Sequence, residues 1–134
     1  MQDKLKFIVP GKPEYATMIR LAIGTVALEN GFSIEDAEDI KVATAEACKN
    51  ICCHGNDSYP ESLEIDCLVE KGKIEIKVLD MGEGNSREKV NPICMDCPKE
   101  GDLSLAVIKS IMDEVKVSTL AQGKKFIEMK KING

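Results

Sequence analysis

Hydrophobic residues recur with two different periods along the chain, and the period at each point predicts the local element. Positions 13–28 and 34–53 place apolar side chains every three to four residues, which is typical of amphipathic helices. Residues 62–70 and 73–79 alternate apolar and polar side chains around Lys71-Gly72, which predicts an antiparallel hairpin with one solvent-facing side. Further patterns predict a strand, a third helix and a closing hairpin at 4–9, at 103–113, and at 114–119 with 124–132.

The order of these elements predicts the fold class. Strand, helix, helix, hairpin, loop, helix and hairpin indicate an α/β (α+β) two-layer sandwich, with a mixed, mostly antiparallel sheet covered on one face by three helices. No linker or repeat divides the chain, so we expect a single domain over residues 1–134. Residues 85–101 lack periodicity and contain Pro92 and Pro98, which predicts a long loop of the kind that is usually functional.

The two long helices differ in the kinds of residue on their faces. On the first helix we expect most of the apolar stripe to pack in the core: Tyr15, Met18, Ile19, Ala22, Val26 and Leu28. On the second helix one stripe suits a core and comprises Ala37, Ile40, Thr44, Ala47, Cys48 and Ile51. A separate, partly polar stripe on that helix comprises Asp39, Ala43, Glu46 and Asn50.

Composition narrows the class of protein. The chain is 43% hydrophobic, which suits a packed core, and its net charge of −5 argues against a direct nucleic-acid binder. It shows neither an apolar signal-peptide core nor a stretch of roughly 20 apolar residues, so we expect a cytoplasmic protein with no membrane partner. In that compartment the six cysteines are interpreted as reduced thiols rather than a disulfide framework.

The first candidate feature for chemistry is the pair Glu46 and Asn50. The two residues are four apart, so a carboxylate and a carboxamide project from one helix face. Mg²⁺ takes oxygen ligands of this kind while it keeps several waters. The alternative is an ordinary solvated polar face on an amphipathic helix.

The second feature, Asp80-Met-Gly82-Glu-Gly84, directly follows a predicted strand. A carboxylate there can accept a hydrogen bond from an exocyclic amine, and glycines let the backbone approach a ring or a phosphate closely. The alternative is a simple turn.

The third feature is the sequence Glu100-Gly101-Asp102-Leu103 at the start of the last helix. A helix N-terminus offers unpaired N–H groups to an anion. The alternative is an ordinary cap, in which Asp102 itself accepts those N–H groups.

Taken together and in this order, the three segments resemble the GHKL (histidine-kinase-like) ATPases, and most of all their anti-sigma-factor serine kinases. Residues 45–55, AEACKNICCHG, resemble the family's N-box, and residues 80–84, DMGEG, its first glycine box. Residues 103–115 are similar to the helix after its second glycine box, and residues 12–21 to its first helix. The resemblance covers nearly the whole chain.

The resemblance implies a role for each matching residue, with ATP and Mg as cofactors. Asn50 would hold Mg²⁺ that bridges the triphosphate, and Glu46 would be the general base on a serine hydroxyl of an antagonist protein. Asp80 would receive the adenine amino group, with Gly82 and Gly84 allowing close approach. Residues 85–101 would form the ATP lid. Gly101 and Leu103 would also contact the nucleotide.

The chain departs from the family pattern in its second glycine box. Asp102 and Ser104 stand where close relatives have glycines, and Gly123 is followed by two lysines instead of the family's threonine. Asp102 puts a negative charge where a phosphate should meet N–H groups, and like charges repel in a partly screened site. Either nucleotide binds weakly, or Mg²⁺ and the cations Arg87, Lys89 and Lys99 compensate.

Two function hypotheses follow from these motifs. The first is an ATP-binding anti-sigma factor that sequesters a sigma factor, phosphorylates an anti-anti-sigma antagonist on serine and forms a homodimer, as the resemblance implies. The alternative is a catalytically weakened or inactive binding module with the same fold, in which Asp102 and Ser104 impair nucleotide binding. A third hypothesis is a zinc- or thiol-controlled switch on Cys94-Met-Asp-Cys97. The alternative is that these cysteines occur by chance and have no function.

Overall fold

The computed structural model describes residues 2–54, 62–80, 100–119 and 125–132. Their elements, in chain order, are β1 (Asp3–Pro10), α1 (Pro13–Glu29), α2 (Ile34–His54), β2 (Ser62–Glu70), β3 (Lys73–Asp80), α3 (Glu100–Ile111), β4 (Glu114–Thr119) and β5 (Lys125–Ile132). The strands form one sheet in the order β1-β2-β3-β5-β4, and each pairing is antiparallel. The predicted fold class is confirmed, with an antiparallel sheet over the described strands.

Local sequence signals account for the ends of the first two helices. Pro13 occupies the first turn of α1, where a missing N–H costs nothing. After Glu29 the chain reverses through Gly31 at φ 94°, and the N–H of Phe32 donates to the Ala27 carbonyl at 3.2 Å. The predicted cap of α2 is confirmed, because the Asp36 N–H donates to Ser33 Oγ at 3.0 Å.

The hydrophobic core fills the space between the helices and one face of the sheet. Along β2 and β3 every second side chain is buried, as the alternating pattern predicts. The core-facing stripe predicted on α2 is buried throughout, from Ala37 to Ile51. The largest fully buried side chains come from both layers and include Ile23, Ile40, Ile65, Ile76, Ile108 and Ile127.

The prediction for α1 was wrong in part. Ile19, Ile23 and Ala27 form its buried stripe, whereas Met18 and Leu28 are both 48% exposed. The reason is that α1 packs mainly against α2 and also contacts the edge strand β1, which leaves the side of the helix with Met18 and Leu28 uncovered. The apolar arc of α1 is therefore wider than its contact with the core.

The third helix begins earlier than its periodicity predicts. The structure has α3 starting at Glu100, so residues 100 and 101 are helical rather than the end of a loop. Acidic residue types are favoured in a first helical turn by the helix dipole, and this segment supplies Glu100 and Asp102. The remainder of the predicted loop, 85–99, lies outside the described residues.

The face of the sheet turned away from the helices is charged and internally balanced. A row across all five strands alternates in sign, because the strand register aligns Lys6, Asp66, Lys77, Glu128 and Lys116. Lys6 contacts Glu64 at 3.4 Å, and the Lys77 ammonium lies 4.7 Å from the Phe126 ring centroid. These cross-strand contacts suit a face that meets water.

Among the described helices, none combines the length and the apolar character needed to cross a lipid bilayer.

Candidate functional site

Lys131 joins the sheet to two of the three helices, α2 and α3. It lies on β5 opposite Ile74, near the start of β3. Its ammonium donates a 2.6 Å hydrogen bond to the carbonyl of Ile111, the last residue of α3, and lies 4.0 Å and 3.9 Å from carboxylate oxygens of Asp36 and Asp39 on α2. The beginning of α2 and the end of α3 therefore meet over the beginning of β3.

From the contacts of Lys131, the lengths of α2, α3 and β3 indicate which residues lie at the other end of the sandwich. From Asp36 to Asn50, α2 rises about 21 Å, and from Ile74 to Asp80, β3 advances about 20 Å. Because α2 packs on β3 and β5, we infer from these two lengths that Asn50 lies near the level of Asp80. Counting back from Ile111, α3 rises about 15 Å to residue 101 at that end as well.

The polar stripe of α2 is largely buried. Asn50 and, two turns before it, Ala43 are fully inaccessible, whereas Glu46 and Asp39 are half-buried. Both Glu46 and Asn50 have partners within the protein. The solvated-face interpretation does not hold for Asn50, since a carboxamide at 0% exposure is unusual on a polar helix face.

Asp80 ends β3 with its side chain on the helix side of the sheet. It is 1% exposed, follows the buried series Ile74, Ile76 and Val78, and has a partner within the protein. A buried carboxylate requires hydrogen-bond donors around it, so the burial of Asp80 at a strand end is a specific feature of the interlayer space.

The remaining predicted residues divide into two groups. Gly101, Asp102 and Leu103 lie in the first turn of α3, at the same end of the sandwich as Asn50 and Asp80. Outside the described residues lie Gly82, Gly84, Arg87, Lys89, Cys94, Cys97, Lys99 and Gly123. Within the described part of the chain, no group of three or more His, Cys, Asp or Glu side chains could hold a metal ion by itself.

The donor chemistry at this end of the sandwich fits a nucleotide with a divalent cation. Asp80 supplies a carboxylate acceptor for an amino group, and Asn50 supplies the carbonyl oxygen that a hard cation takes. Glu46, one helical turn before Asn50, adds a second oxygen group on the same face. The N-terminus of a helix favours negative charge, and α3 begins at this end of the sandwich.

Two structural features were not predicted from the sequence. Lys131 lies in a predicted strand, but its contacts with the carboxylates of Asp36 and Asp39 join β5 to the start of α2, which is far away in the sequence. On the opposite face, a groove of about 800 Å³ is lined by residues that include Asp66, Lys77 and Lys130. That groove lies across the sheet from Asn50 and Asp80, so it is a separate surface.

Comparison with known families identifies the fold. The family model of the histidine kinase-like ATPase domain matches residues 9–131, from the end of β1 into β5. The chain belongs to the histidine kinase-like ATPase family. The buried Asn50 and Asp80 lie within this match, and so do residues 80–84 and 100–104.

Relatives within the histidine kinase-like ATPase family are serine-protein kinases. The serine-protein kinase RsbW of Oceanobacillus iheyensis is 36% identical over 125 residues, which cover 87% of this chain and 79% of that protein. The serine-protein kinase RsbW of Bacillus pumilus is 34% identical over 126 residues, covering 86% and 78%. The predicted family resemblance is confirmed by these matches.

A solved structure supports the same architecture. A chain of the SiaB–SiaC complex from Pseudomonas aeruginosa superposes with a TM-score of 0.59, covering 96% of this chain and 89% of its own. The two sequences are 13% identical, so the likeness concerns the fold alone.

Proposed function

We propose that this protein is an ATP-dependent serine-protein kinase and anti-sigma factor. It would sequester a sigma factor and phosphorylate an anti-anti-sigma antagonist protein on a serine. The observation that carries the proposal is the pair of buried polar side chains, Asn50 and Asp80, at the end of the interlayer space where α3 begins. The family match and the serine-protein kinase relatives support the reaction type.

In this proposal each polar residue has one task. Asp80 accepts a hydrogen bond from the adenine amino group, and Gly82 and Gly84 leave room for the ring. Glu46 accepts the proton of the attacking serine hydroxyl, for which its half-buried position on α2 is suitable. Asn50 holds Mg²⁺ through its carbonyl oxygen, and Gly101 and Leu103 contact the nucleotide at the start of α3.

Most of the rate enhancement would come from alignment of the phosphate donor with the acceptor hydroxyl and from neutralisation of the phosphate charge. Phosphoryl transfer passes through a loose transition state, so the protein chiefly positions the donor and the acceptor. Mg²⁺, when bound, neutralises charge on the phosphates. Orienting Asn50 and Asp80 by burial serves this purpose, because fixed polar groups need not reorganise during the reaction.

The oligomeric state, the partners and the cellular location are part of the same proposal. We propose a homodimer that acts in the cytoplasm, without direct contact with nucleic acid or membrane. The net charge of −5 supports this choice, since an acidic protein would control transcription through a partner rather than by binding DNA.

The test of the kinase reaction is transfer of radiolabelled phosphate from Mg²⁺-ATP to the cognate antagonist. Glu46→Gln is expected to lower the rate by about 10²-fold or more, the usual contribution of a general base, while ATP affinity stays within about threefold. Glu35→Gln is the matched control, because Glu35 is an exposed glutamate in the first turn of the same helix. No transfer by the unmodified protein would refute the kinase assignment.

Calorimetry with nucleotides separates an active kinase from the inactive binding module that Asp102 and Ser104 suggest. We expect ATP binding that Asp80→Asn weakens by at least about tenfold, since an amide presents a donor as well as an acceptor to the adenine edge. Circular dichroism checks that the variant remains folded. If the unmodified protein binds neither ATP nor ADP, the module functions by partner binding alone.

A further inference from the structure

Two residues, Met112 and Asp113, join α3 to β4, and the second of them makes two contacts with β5. The Asp113 N–H donates to the Lys130 carbonyl at 2.9 Å. The Asp113 carboxylate accepts a 2.7 Å hydrogen bond from the N–H of Ile132. Asp113 therefore binds β5 through both its backbone and its side chain, directly after α3 has ended.

The side chain of Asp113 acts where the pairing of β4 with β5 has ended. The first pair of these strands is Glu114 with Lys130, so Ile132 has no residue of β4 opposite it, and the Asp113 carboxylate supplies the acceptor. The helix dipole disfavours negative charge after the C-terminus of a helix. An aspartate at this position thus runs against the local preference of α3, which indicates that its contact with β5 is the reason for it.

Asp113 and Lys131 together form what we call the α3 clamp. The Lys131 ammonium donates to the carbonyl of Ile111 at 2.6 Å, and this bond adds to the two made by Asp113. The three bonds join the last residue of α3 and the link after it to three successive residues of β5. The C-terminal end of α3 is therefore tied to the sheet by directional contacts.

The contacts of α3 with the core have a different character. The side chains of its described part that pack in or against the core are apolar, and they include Leu105, Ile108 and Ile111. Apolar packing is non-directional, whereas a hydrogen bond restricts both distance and angle. The clamp is thus the part of the structure that restricts the tilt and the height of α3 against the sheet.

The opposite end of α3 is the end that would meet the nucleotide. Gly101 and Leu103 lie in its first turn, and residue 101 is about 15 Å from Ile111 along the helix axis. A tilt of about 10° around the clamped end would move the first turn by about 2–3 Å. A misplacement of about 1 Å is enough to lower a rate about 10²-fold when reacting groups lose their alignment.

We propose that Asp113 and Lys131 are positioning residues for the nucleotide phosphates. By fixing the C-terminal end of α3 on β5, they set the place of its first turn, while neither residue contacts the nucleotide itself. The adenine contact is independent of them, since Asp80 lies on β3. This inference rests on the proposed function for the presence of ATP, and it adds residues that act from the far end of α3.

The variant Asp113→Ala tests the proposal, because it removes the carboxylate acceptor and keeps the backbone N–H. We expect ATP, measured by calorimetry, to bind at least about fivefold more weakly than to the unmodified protein. Adenosine, measured by NMR titration, should bind within about twofold, because it lacks the phosphates that α3 would meet. Unchanged ATP binding would overturn the proposal, and so would an equal loss of ATP and adenosine binding, which a general disruption of the fold produces.

Two further variants show whether the acceptor at position 113 is responsible. Asp113→Asn keeps an oxygen acceptor and should restore ATP binding to within about twofold of the unmodified protein. Glu114→Ala is the matched control, because Glu114 is the neighbouring exposed carboxylate and contacts the Lys130 ammonium instead of a backbone N–H. If Asp113→Asn fails to restore binding, or if Glu114→Ala weakens it as much as Asp113→Ala, the positioning role is refuted.

Hydrogen exchange of the nucleotide-free protein tests the clamp separately from the proposed function. In Asp113→Ala the amide of Ile132 should exchange at least about tenfold faster than in the unmodified protein, and an unchanged rate would contradict the clamp. If the unmodified protein binds ATP and Asp113→Ala binds it equally well, the proposed function stands and the positioning role fails. If the unmodified protein binds no ATP, the proposed function fails and the nucleotide role of the clamp fails with it.

Discussion

The alignment of the candidate site depends on one lysine, and its removal is the most informative perturbation of the fold. In Lys131→Met the apolar stem keeps most of its volume while the ammonium is lost. The Lys131 side chain is 12% exposed, so the hydrogen bond of 2.6 Å to the Ile111 carbonyl forms largely away from water. The variant leaves that carbonyl, at the C-terminus of α3, without its cation.

The expected loss can be worked from these contacts. A hydrogen bond to a charged group contributes about 1.5–3 kcal/mol. The contacts of about 4 Å with Asp36 and Asp39 add at most a few tenths of a kcal/mol each, because those carboxylates are 29% and 43% exposed. We therefore expect the free energy of unfolding to fall by about 2–3 kcal/mol.

Urea denaturation followed by circular dichroism measures this change. Lys130→Met is the matched control, because Lys130 is the neighbouring residue and contacts the 68% exposed Glu114 at 3.3 Å. Lys130→Met should lower the free energy of unfolding by less than about 1 kcal/mol. If Lys131→Met costs no more than Lys130→Met, the argument that Lys131 aligns α2 and α3 is refuted.

Three other perturbations test separate parts of the structure. Gly24→Ala should not stabilise the protein, because the new methyl group displaces the Lys41 side-chain stem. In a Lys41→Ala background the same substitution should raise the free energy of unfolding by about 1 kcal/mol. A double-mutant cycle measured by urea denaturation tests this, and additive effects of the two substitutions would contradict it. Burial, a hydrogen bond with Glu64 and repulsion by Glu64 raise the pKa of Asp66, so its ionisation destabilises the folded state as pH rises above 3.8. At pH 7 the Asp66→Asn variant should therefore be more stable than the unmodified protein by up to about 1 kcal/mol, and this difference should disappear toward pH 4. Urea denaturation at both pH values measures the difference. Burial raises the pKa of the Cys67 thiol to about 12, so mass-spectrometric footprinting at pH 8 should find it unalkylated until the protein unfolds, and rapid native labelling would be the contrary result.

The sequence predicted the fold well because its periodic patterns are strong. The alternation in β2 and β3 and the Ser33 cap of α2 are local signals, and both are confirmed. Cys48 on α2 and Cys67 on β2 are both buried in the core, and the interpretation of the cysteines as reduced thiols stays a prediction.

Part of the candidate site could also be predicted. The four-residue spacing of Glu46 and Asn50 gave a shared helix face, and Asp80 followed a strand. Their burial could not be predicted, since a polar stripe on a helix is most often solvated. The full burial of Asn50 is a result of tertiary packing, since α2 is covered by α1 and α3, which come from other parts of the chain.

By itself, the sequence determined the elements, their order, the core face of α2 and the residues that resemble a nucleotide site, because each depends on neighbours within a few positions. Tertiary structure alone decided which apolar residues of α1 stay exposed, since that depends on where the helix meets the sheet. It also decided that Lys131 joins β5 to both helices, and hence that Asn50 and Asp80 reach the same end of the sandwich. Such long-range contacts arise from packing geometry, which no local pattern encodes.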